Sequence, residues 1–314
     1  MPSISPALRP WFLPADLLPL LLTLLVLLLG TSPPAQAAPL PAGELEQRCW
    51  TKYTRERTRT DLREPTAVHF SNLRDGYVVS SPVLVEFAVR GMGVAPAGVK
   101  LPGTGHHHIL VDKALPFAIG EPIPFDDKHR HFGKGQTATL LDLKPGKHTL
   151  RLLFADEEHR PYFVFSREIT VEVRGLRSDH PRPAIDAARF DATCAAWYQD
   201  EVSRPRPPNE PLYFANLRAD EPVASPFNLR LGVDGFGVCA RGASAPKSGY
   251  FVIEVLDAAR GLVRTVDLSN GATQANLSLA NGNHRLRLRF LDANGFDLLP
   301  AHEMPVRVVA QERV

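Results

Sequence analysis

His69-Phe70-Ser71-Asn72-Leu73-Arg74 and Tyr213-Phe214-Ala215-Asn216-Leu217-Arg218 are one motif written twice, 144 residues apart. The same offset pairs Ser81-Pro82 with Ser225-Pro226 and Gly91-Met92-Gly93-Val94 with Gly235-Phe236-Gly237-Val238. It still holds at Gly105 with Gly249 and at Ile109 with Ile253. Further on the offset falls to 136: Gly146-Lys147-His148 meets Gly282-Asn283-His284, and Phe154-Ala155-Asp156 meets Phe290-Leu291-Asp292. The second copy is therefore eight residues shorter. The loss lies between Asp112 and Thr137 and is expected to take with it the segment of His129 and His131. A repeat at one fixed period is read before any motif, because it decides the architecture.

Each copy reads as β-structure. Val83, Val85, Phe87 and Val89 alternate with Leu84, Glu86 and Ala88, the period of a half-buried strand. Thr149 to Phe154 and Arg285 to Phe290 alternate as well, the second with Arg on one face and apolar residues on the other. Ile169, Val171 and Val173 close the first copy, and Leu298, Val306 and Val308 lie in the matching tail. Pro145-Gly146-Lys147 and Ala280-Asn281-Gly282-Asn283 are hairpin turns. At about 100 residues per unit this predicts an all-β chain, a tandem of immunoglobulin-like antiparallel β-sandwiches. The first sandwich is expected over 67–175 and the second, a degenerate repeat, over 203–314. Segment 38–66, with Cys49, and segment 176–202 read as linkers with short helices, and Gly175 to Pro183 is the junction.

The first 37 residues read as an address. Arg9 precedes Leu17 to Leu29, a run almost entirely of Leu, and Ala35-Gln36-Ala37 fits a signal-peptidase site with cleavage after Ala37. The run is short of the roughly 20 residues of a membrane span. No later segment is long and apolar enough to span, so the mature chain is expected to be periplasmic or secreted. Cleavage would remove one charge of each sign, Arg9 and Asp16, and leave the net charge at +2. With 36 Lys and Arg against 34 Asp and Glu, scattered along the chain, nothing indicates a nucleic-acid partner.

The histidines carry the chemistry. Of 11, eight lie between His69 and His159, while residues 213–295 hold one. The duplication acts as an internal control: His106-His107-His108 becomes Tyr250-Phe251-Val252, His159 becomes Gly295, and only His148 keeps its partner, His284. His148 is read as structural for that reason. On a strand His106 and His108 share a face and His107 takes the other. His129 and His131 have the same spacing. Neutral imidazole is a ligand for copper and zinc, so His106, His108, His129 and His131 are the candidate ligands, with His107 and His159 secondary. Asp156-Glu157-Glu158 would offer an oxygen ligand or an acceptor behind the ligands, and Asp126-Asp127 precedes the second His pair. The competing reading is a polar cluster that only holds the loop from Leu115 to Gln136.

Other chemistries are absent from the sequence. There is no nucleophile elbow and no His-Glu-Xaa-Xaa-His, and a blue-copper site needs a Cys beside two His, whereas the first copy has only the distant Cys49. Gly133-Lys134-Gly135-Gln136 lacks the upstream Gly and the following Ser or Thr of a phosphate loop and reads as a tight turn presenting Gln136 inward. The three Cys fit an oxidising compartment. A Cys194–Cys239 bridge is preferred, closing a 46-residue loop worth about 3–4 kcal/mol in the chain-entropy picture. Cys49 with Cys194 is the competing pairing.

From about Val68 to Val173 the chain resembles the bacterial domain of unknown function numbered family 4399. The resemblance is carried by Gly91-Met92-Gly93-Val94 with Ala97-Gly98, by Gly105-His106-His107-His108-Ile109-Leu110-Val111-Asp112, and by Pro122-Ile123-Pro124. It continues through His131-Phe132-Gly133-Lys134-Gly135-Gln136-Thr137, Pro145-Gly146-Lys147-His148-Thr149-Leu150, and Asp156 with His159, Pro161 and Ser166. Family members usually carry a second His after that Pro, where this chain has Tyr162. The resemblance implies an exported β domain with a His-rich motif and no assigned reaction. The expected function is thus an exported, non-enzymatic binding protein with a copper or zinc site in the first sandwich. The alternative is a structural or protein-interaction module of the cell envelope, with a protein partner there.

Overall fold

The computed structural model describes residues 35–60, 67–115, 120–208, 210–243 and 245–310. The leader read at 1–37 lies outside them except for its last three residues. Those three open the fold: β1 (Ala35–Gln36) pairs in parallel with the last strand of the chain, and Ala37 is buried. Two short helices follow, α1 (Glu44–Lys52) and α2 (Thr54–Arg57).

The first sandwich runs through β2 (Ala67–Phe70), β3 (Tyr77–Ser81), β4 (Val83–Arg90), β5 (Gly93–Val94) and β6 (Thr104–Val111). It continues with β7 (His129–His131), β8 (Ala138–Leu141), β9 (Gly146–Ala155), β10 (Pro161–Phe165) and β11 (Ile169–Leu176). One sheet has the order β3-β11-β9-β6-β5, with β10 on β9 and β7 on β6; the facing sheet is β2-β4-β8. Helix α3 (Phe190–Val202) leads into the second sandwich. This contains β12 (Leu212–Phe214), β13 (Pro222–Ala224), β14 (Phe227–Val233), β15 (Gly237–Val238) and β16 (Ser248–Leu256). It ends with β17 (Leu262–Asp267), β18 (Gln274–Leu277), β19 (Gly282–Leu291) and β20 (His302–Val309). Its sheets are β1-β20-β19-β16-β15, with β13 on β20 and β17 on β16, and β12-β14-β18. The chain is thus a tandem of β-sandwiches with matching strand orders.

Two features depart from the expectation. The pairing is not purely antiparallel, because β3 joins β11, and β13 joins β20, in parallel. The chain changes sheets at Pro82 and Pro226, which offer no N–H to a ladder. The strand before each proline therefore edges its own unit's last strand. The second departure is β4, whose polar side is also buried. Leu84 N–H donates to Ser203 (2.9 Å), and Glu86 accepts from Arg206 Nε (2.9 Å). The face that alternation assigned to water is covered by the segment after α3.

Contacts between the units come in reciprocal pairs, the signature of two-fold packing. Val94 N–H donates to Gly271 and Val238 N–H to Gly135, both at 2.8 Å. A Cβ on Gly93 would lie 1.8 Å from Asn270 O and one on Gly237 1.6 Å from Lys134 O, so both strands need glycine to approach this closely. Leu84 N–H meets Ser203 O just after α3, and Asn228 N–H meets Thr58 O just after α2. Each leading helix is therefore bonded to the sandwich it does not directly precede. The repeated Asn does the rest: Asn72 Nδ2 donates to Leu84 and Val202, and Asn216 Nδ2 to Asn228 and Arg57.

This arrangement corrects the cysteine pairing. The disulfide is Cys49–Cys194, 145 residues apart, and Cys239 is free and buried. Cys49 on α1 and Cys194 on α3 occupy matched places in the two leading helices, and the reciprocal packing sets them face to face over Trp50, Trp197 and Tyr198. Cys239 follows β15 and packs its sulfur on Ala243 O (3.4 Å). The chain-entropy relation assigns a loop of this length about 5 kcal/mol. Peptide mapping of the non-reduced protein should recover Cys49 with Cys194, and Cys49→Ala should lower the melting temperature. A recovered Cys194–Cys239 peptide would contradict the structure.

Candidate metal centre

β6 is the strand that builds the site. β9 pairs with it antiparallel from His106 opposite Ala155 to Val111 opposite Leu150. On its other edge His131 of β7 stands opposite His108, and His129 opposite Leu110. Directly opposed residues share a face, so His106, His108 and His131 project together while His107 projects away.

His159 joins them from the turn after β9. Asp156 Oδ1 fixes that turn by accepting from the N–H groups of Glu158 (2.9 Å) and Arg160 (2.8 Å). The second sandwich builds the same turn on Asp292, with Gly295 at φ +89. His159 occupies that left-handed position at φ +69, which costs a residue with a Cβ about 1–2 kcal/mol.

The four imidazoles converge. Ring centroids lie 4.9 Å apart for His106–His108, 5.0 Å for His106–His131, 5.1 Å for His106–His159 and 4.7 Å for His131–His159. One ring nitrogen from each of His106, His131 and His159 lies within 4.8 Å of the others. His106 Nε2 and His108 Nε2 are 3.1 Å apart. Two nitrogens bound tetrahedrally to one ion at 2.0–2.1 Å would be about 3.3 Å apart. His106 and His108 are fully buried, and His131 and His159 are half-buried at the mouth. Phe125, largely exposed, sets its ring edge-on against both mouth residues at 4.8 and 5.0 Å. Gly133 leaves room for the His131 ring, since a Cβ there would stand 2.2 Å from its Cε1. A recess of about 370 Å³ adjoins the cluster, lined by Phe125, His129, His131 and Leu140 among others.

Burial keeps His106, His108 and His131 neutral, the form that binds metals. Burial holds His106 down at about 3, His108 at about 2 and His131 at about 4, and neighbouring rings of the cluster push the same way. Nδ1 of His106 and of His108 and Nε2 of His131 are buried without a hydrogen-bond partner among the described residues. The acidic residues of the turn are otherwise engaged: Glu157 pairs with Lys100 (3.2 Å) and Glu158 with Arg160.

Two of the sequence-read candidates stand elsewhere. His129 shares the face of His131 but turns to its own loop, with Nδ1 2.8 Å from Asp126 Oδ1, where it lines the recess. His107 is fully buried on the opposite face between Phe87 (4.8 Å) and Phe154 (4.9 Å), and burial pushes it down to about 3. His148 bonds Asp112 and Lys144 O at 2.8 Å each, a turn-holding role. Tyr162 donates to Thr104 O (3.0 Å) at the start of β6. The ladder register also relocates the length difference. Val252, 144 after His108, stands opposite Asp267, so Asp267 holds the place of His131 and Thr265 that of His129. The extra residues of the first unit therefore lie before β7, in the connection that carries Phe125.

Residues 85–174 match the family described as Domain of unknown function (DUF4399). The DUF4399 match runs from β4 into β11 and contains all four clustered imidazoles, so the resemblance read from Gly105 to Asp112 and beyond holds over that span. Among solved structures, CopC from Methylosinus trichosporium OB3b is similar at 22% identity, over 31% of this chain and 89% of that one, with TM-score 0.21. The fibronectin(III)-like modules of Clostridium thermocellum CbhA align at 8% identity over 78% of this chain and 94% of that one, with TM-score 0.22. The central fibronectin-III array of RIM-binding protein aligns at 11% over 81% and 72%, with TM-score 0.23. No curated protein matches the chain.

The neutral rings give a pH dependence with a definite sign. Unfolded imidazole titrates near 6.5, while folded His106, His107, His108 and His131 sit at about 4 or lower. Their contribution to stability is complete above about pH 6.5 and is lost as pH falls toward 4, because the unfolded chain takes up the protons. The urea midpoint of the metal-free protein should drop between pH 7.5 and pH 5. A midpoint that does not move would show that these rings are not buried neutral.

Proposed function

We propose that this chain is an exported, non-enzymatic binding protein whose first sandwich holds a transition-metal ion, copper or zinc. His106, His131 and His159 are the ligands and His108 is a fourth imidazole. The observation that carries the reading is the convergence of imidazole rings from three separate chain segments, one of them held in a left-handed backbone that the matching turn gives to glycine. An all-nitrogen donor set suits either metal. The Cys49–Cys194 bridge supports an oxidising compartment, periplasmic or extracellular, and agrees with the leader read at the N-terminus.

A second reading has its own observation. Ile123 N–H donates to His159 O (2.9 Å), and the Phe125 ring rests on His131 and His159. The cluster would then only anchor the connection before β7, as in an interaction module of the cell envelope.

Elemental analysis and titration of untagged protein separate the two. One equivalent of copper or zinc is expected, weakened at least tenfold by His106→Ala, His131→Ala and His159→Gly, and unchanged by His129→Ala. His159→Gly also removes about 1 kcal/mol of backbone strain, so its metal-free melting temperature should stay close to that of the parent. Parent protein that takes up neither metal overturns the proposal. A metal-free His159→Gly that melts far lower favours the anchoring role.

A further inference from the structure

A groove of about 1110 Å³ lies away from the imidazole cluster and is lined by both sandwiches. Six arginines border it against two glutamates. Its second-sandwich side is polar: on β14 and β18, Asn228 stands opposite Asn276 and Arg230 opposite Gln274.

Arg230 is the unusual member. It is only 7% exposed, its Nη1 donates to Ser71 O (2.8 Å), and its Nε has no hydrogen-bond partner among the described residues. Burial pushes its guanidinium down to about 10, which leaves it charged at neutral pH. Glu86, an acid that acts on it, is already bonded by Arg206. A buried guanidinium without a carboxylate of its own is costly. Beside it Asn228, also 7% exposed, gives its Nδ2 to Asn276 (2.9 Å) and leaves Oδ1 as a buried acceptor without a donor. Among the other lining residues Glu56 is taken by Arg74 (3.4 Å) and Glu168 by Arg151 (3.3 Å), while the exposed Arg167 has no carboxylate partner among the described residues.

We propose that this groove binds a hydroxyl-bearing polyanion, the chemistry of an acidic oligosaccharide, with Arg230 and Arg167 taking the anionic groups and Asn228 Oδ1 a hydroxyl. Guanidinium forks match carboxylate and phosphate alike, so either acid group serves. The volume exceeds the roughly 300–1,000 Å³ of an ordinary small-molecule pocket and suits several sugar rings. The groove shares no residue with the four clustered imidazoles, so the inference stands apart from the metal reading.

Calorimetric titration of the metal-free full chain tests it, with trigalacturonate as the carboxylate probe and glucose 1,6-bisphosphate as the phosphate probe. At least one should bind, and whichever does assigns the acid group. Arg230→Gln and Arg167→Gln should each weaken binding more than tenfold. Maltotriose, which has hydroxyls without charge, and tripolyphosphate, which has charge without hydroxyls, should bind at least tenfold more weakly. Arg167 is exposed, so its variant keeps the test valid if Arg230→Gln fails to fold. Binding of neither probe, binding untouched by Arg167→Gln, or tripolyphosphate binding as tightly as the sugar acid would overturn the proposal.

Discussion

Strand β6 is hydrogen-bonded along both edges, to β9 on one side and to β5 and β7 on the other, and the candidate site depends on that ladder. Side chains on a strand alternate, so a slip of one residue would carry every side chain to the other face. Such a slip would place His106 and His108 among Phe87 and Phe154 and swing His107 into the cluster. The alternation of Ile109 and Val111 into the core of the first sandwich against Leu110 into a separate apolar cluster holds the register. A His triplet is thereby divided into two ligand candidates and one core residue, with no other specification needed.

The second sandwich shows what the same scaffold does without the cluster. Tyr250 and Val252 replace His106 and His108 on β16 and pack with Leu291 into a small apolar group. The β16–β17 hairpin closes with the short connection 257–261, where the first sandwich spends residues 112–128 before β7. Strand order, ladder register and the aspartate-fixed turn are shared by the two. The scaffold therefore does not require histidine at any of these places, and the two units differ in the side chains at this end of the sheet while they share its framework. That is the pattern of a site set on a fold and not of a fold built around a site.

Much of this was legible in the chain itself. The alternation at Val83 to Val89 and at Arg285 to Phe290 marked strands, and the matched punctuation marked two units of one kind. The loss of the His106–His108 triplet, of His159 and, as expected there, of the His129 and His131 segment from the second unit pointed to a cluster, with His129 placed among its ligands and His159 only second. What was hidden is long-range. Cys49 and Cys194 face each other only because each leading helix crosses to the other sandwich, and spacing along a chain does not report a crossing. His129 and His131 look equivalent at a two-residue spacing, but Asp126 sits three residues before His129 and captures it locally, while His131 stands opposite His108. Phe125 carried no signal beyond its place in the extra residues. The buried polar side of β4 was likewise invisible, because alternation reports two faces and not what covers the second.

His159 links these levels. Its turn is built by Asp156, whose carboxylate organises the backbone as Asp292 does in the other unit, and the position it occupies prefers a residue without a Cβ. Glycine there is the relaxed solution, and the second unit has it. A histidine at φ +69 places an imidazole over His131 and His106 at a conformational cost that no core contact requires, since the ring is half-buried at the mouth. Strain of this kind persists where the surroundings over-determine it: the Asp156 turn below, the bond from Ile123 to its carbonyl, and the Phe125 ring at its edge. Exposed Lys247 and Arg260 take left-handed backbones as well, so what sets His159 apart is the combination of that backbone with a ring that meets His106 and His131.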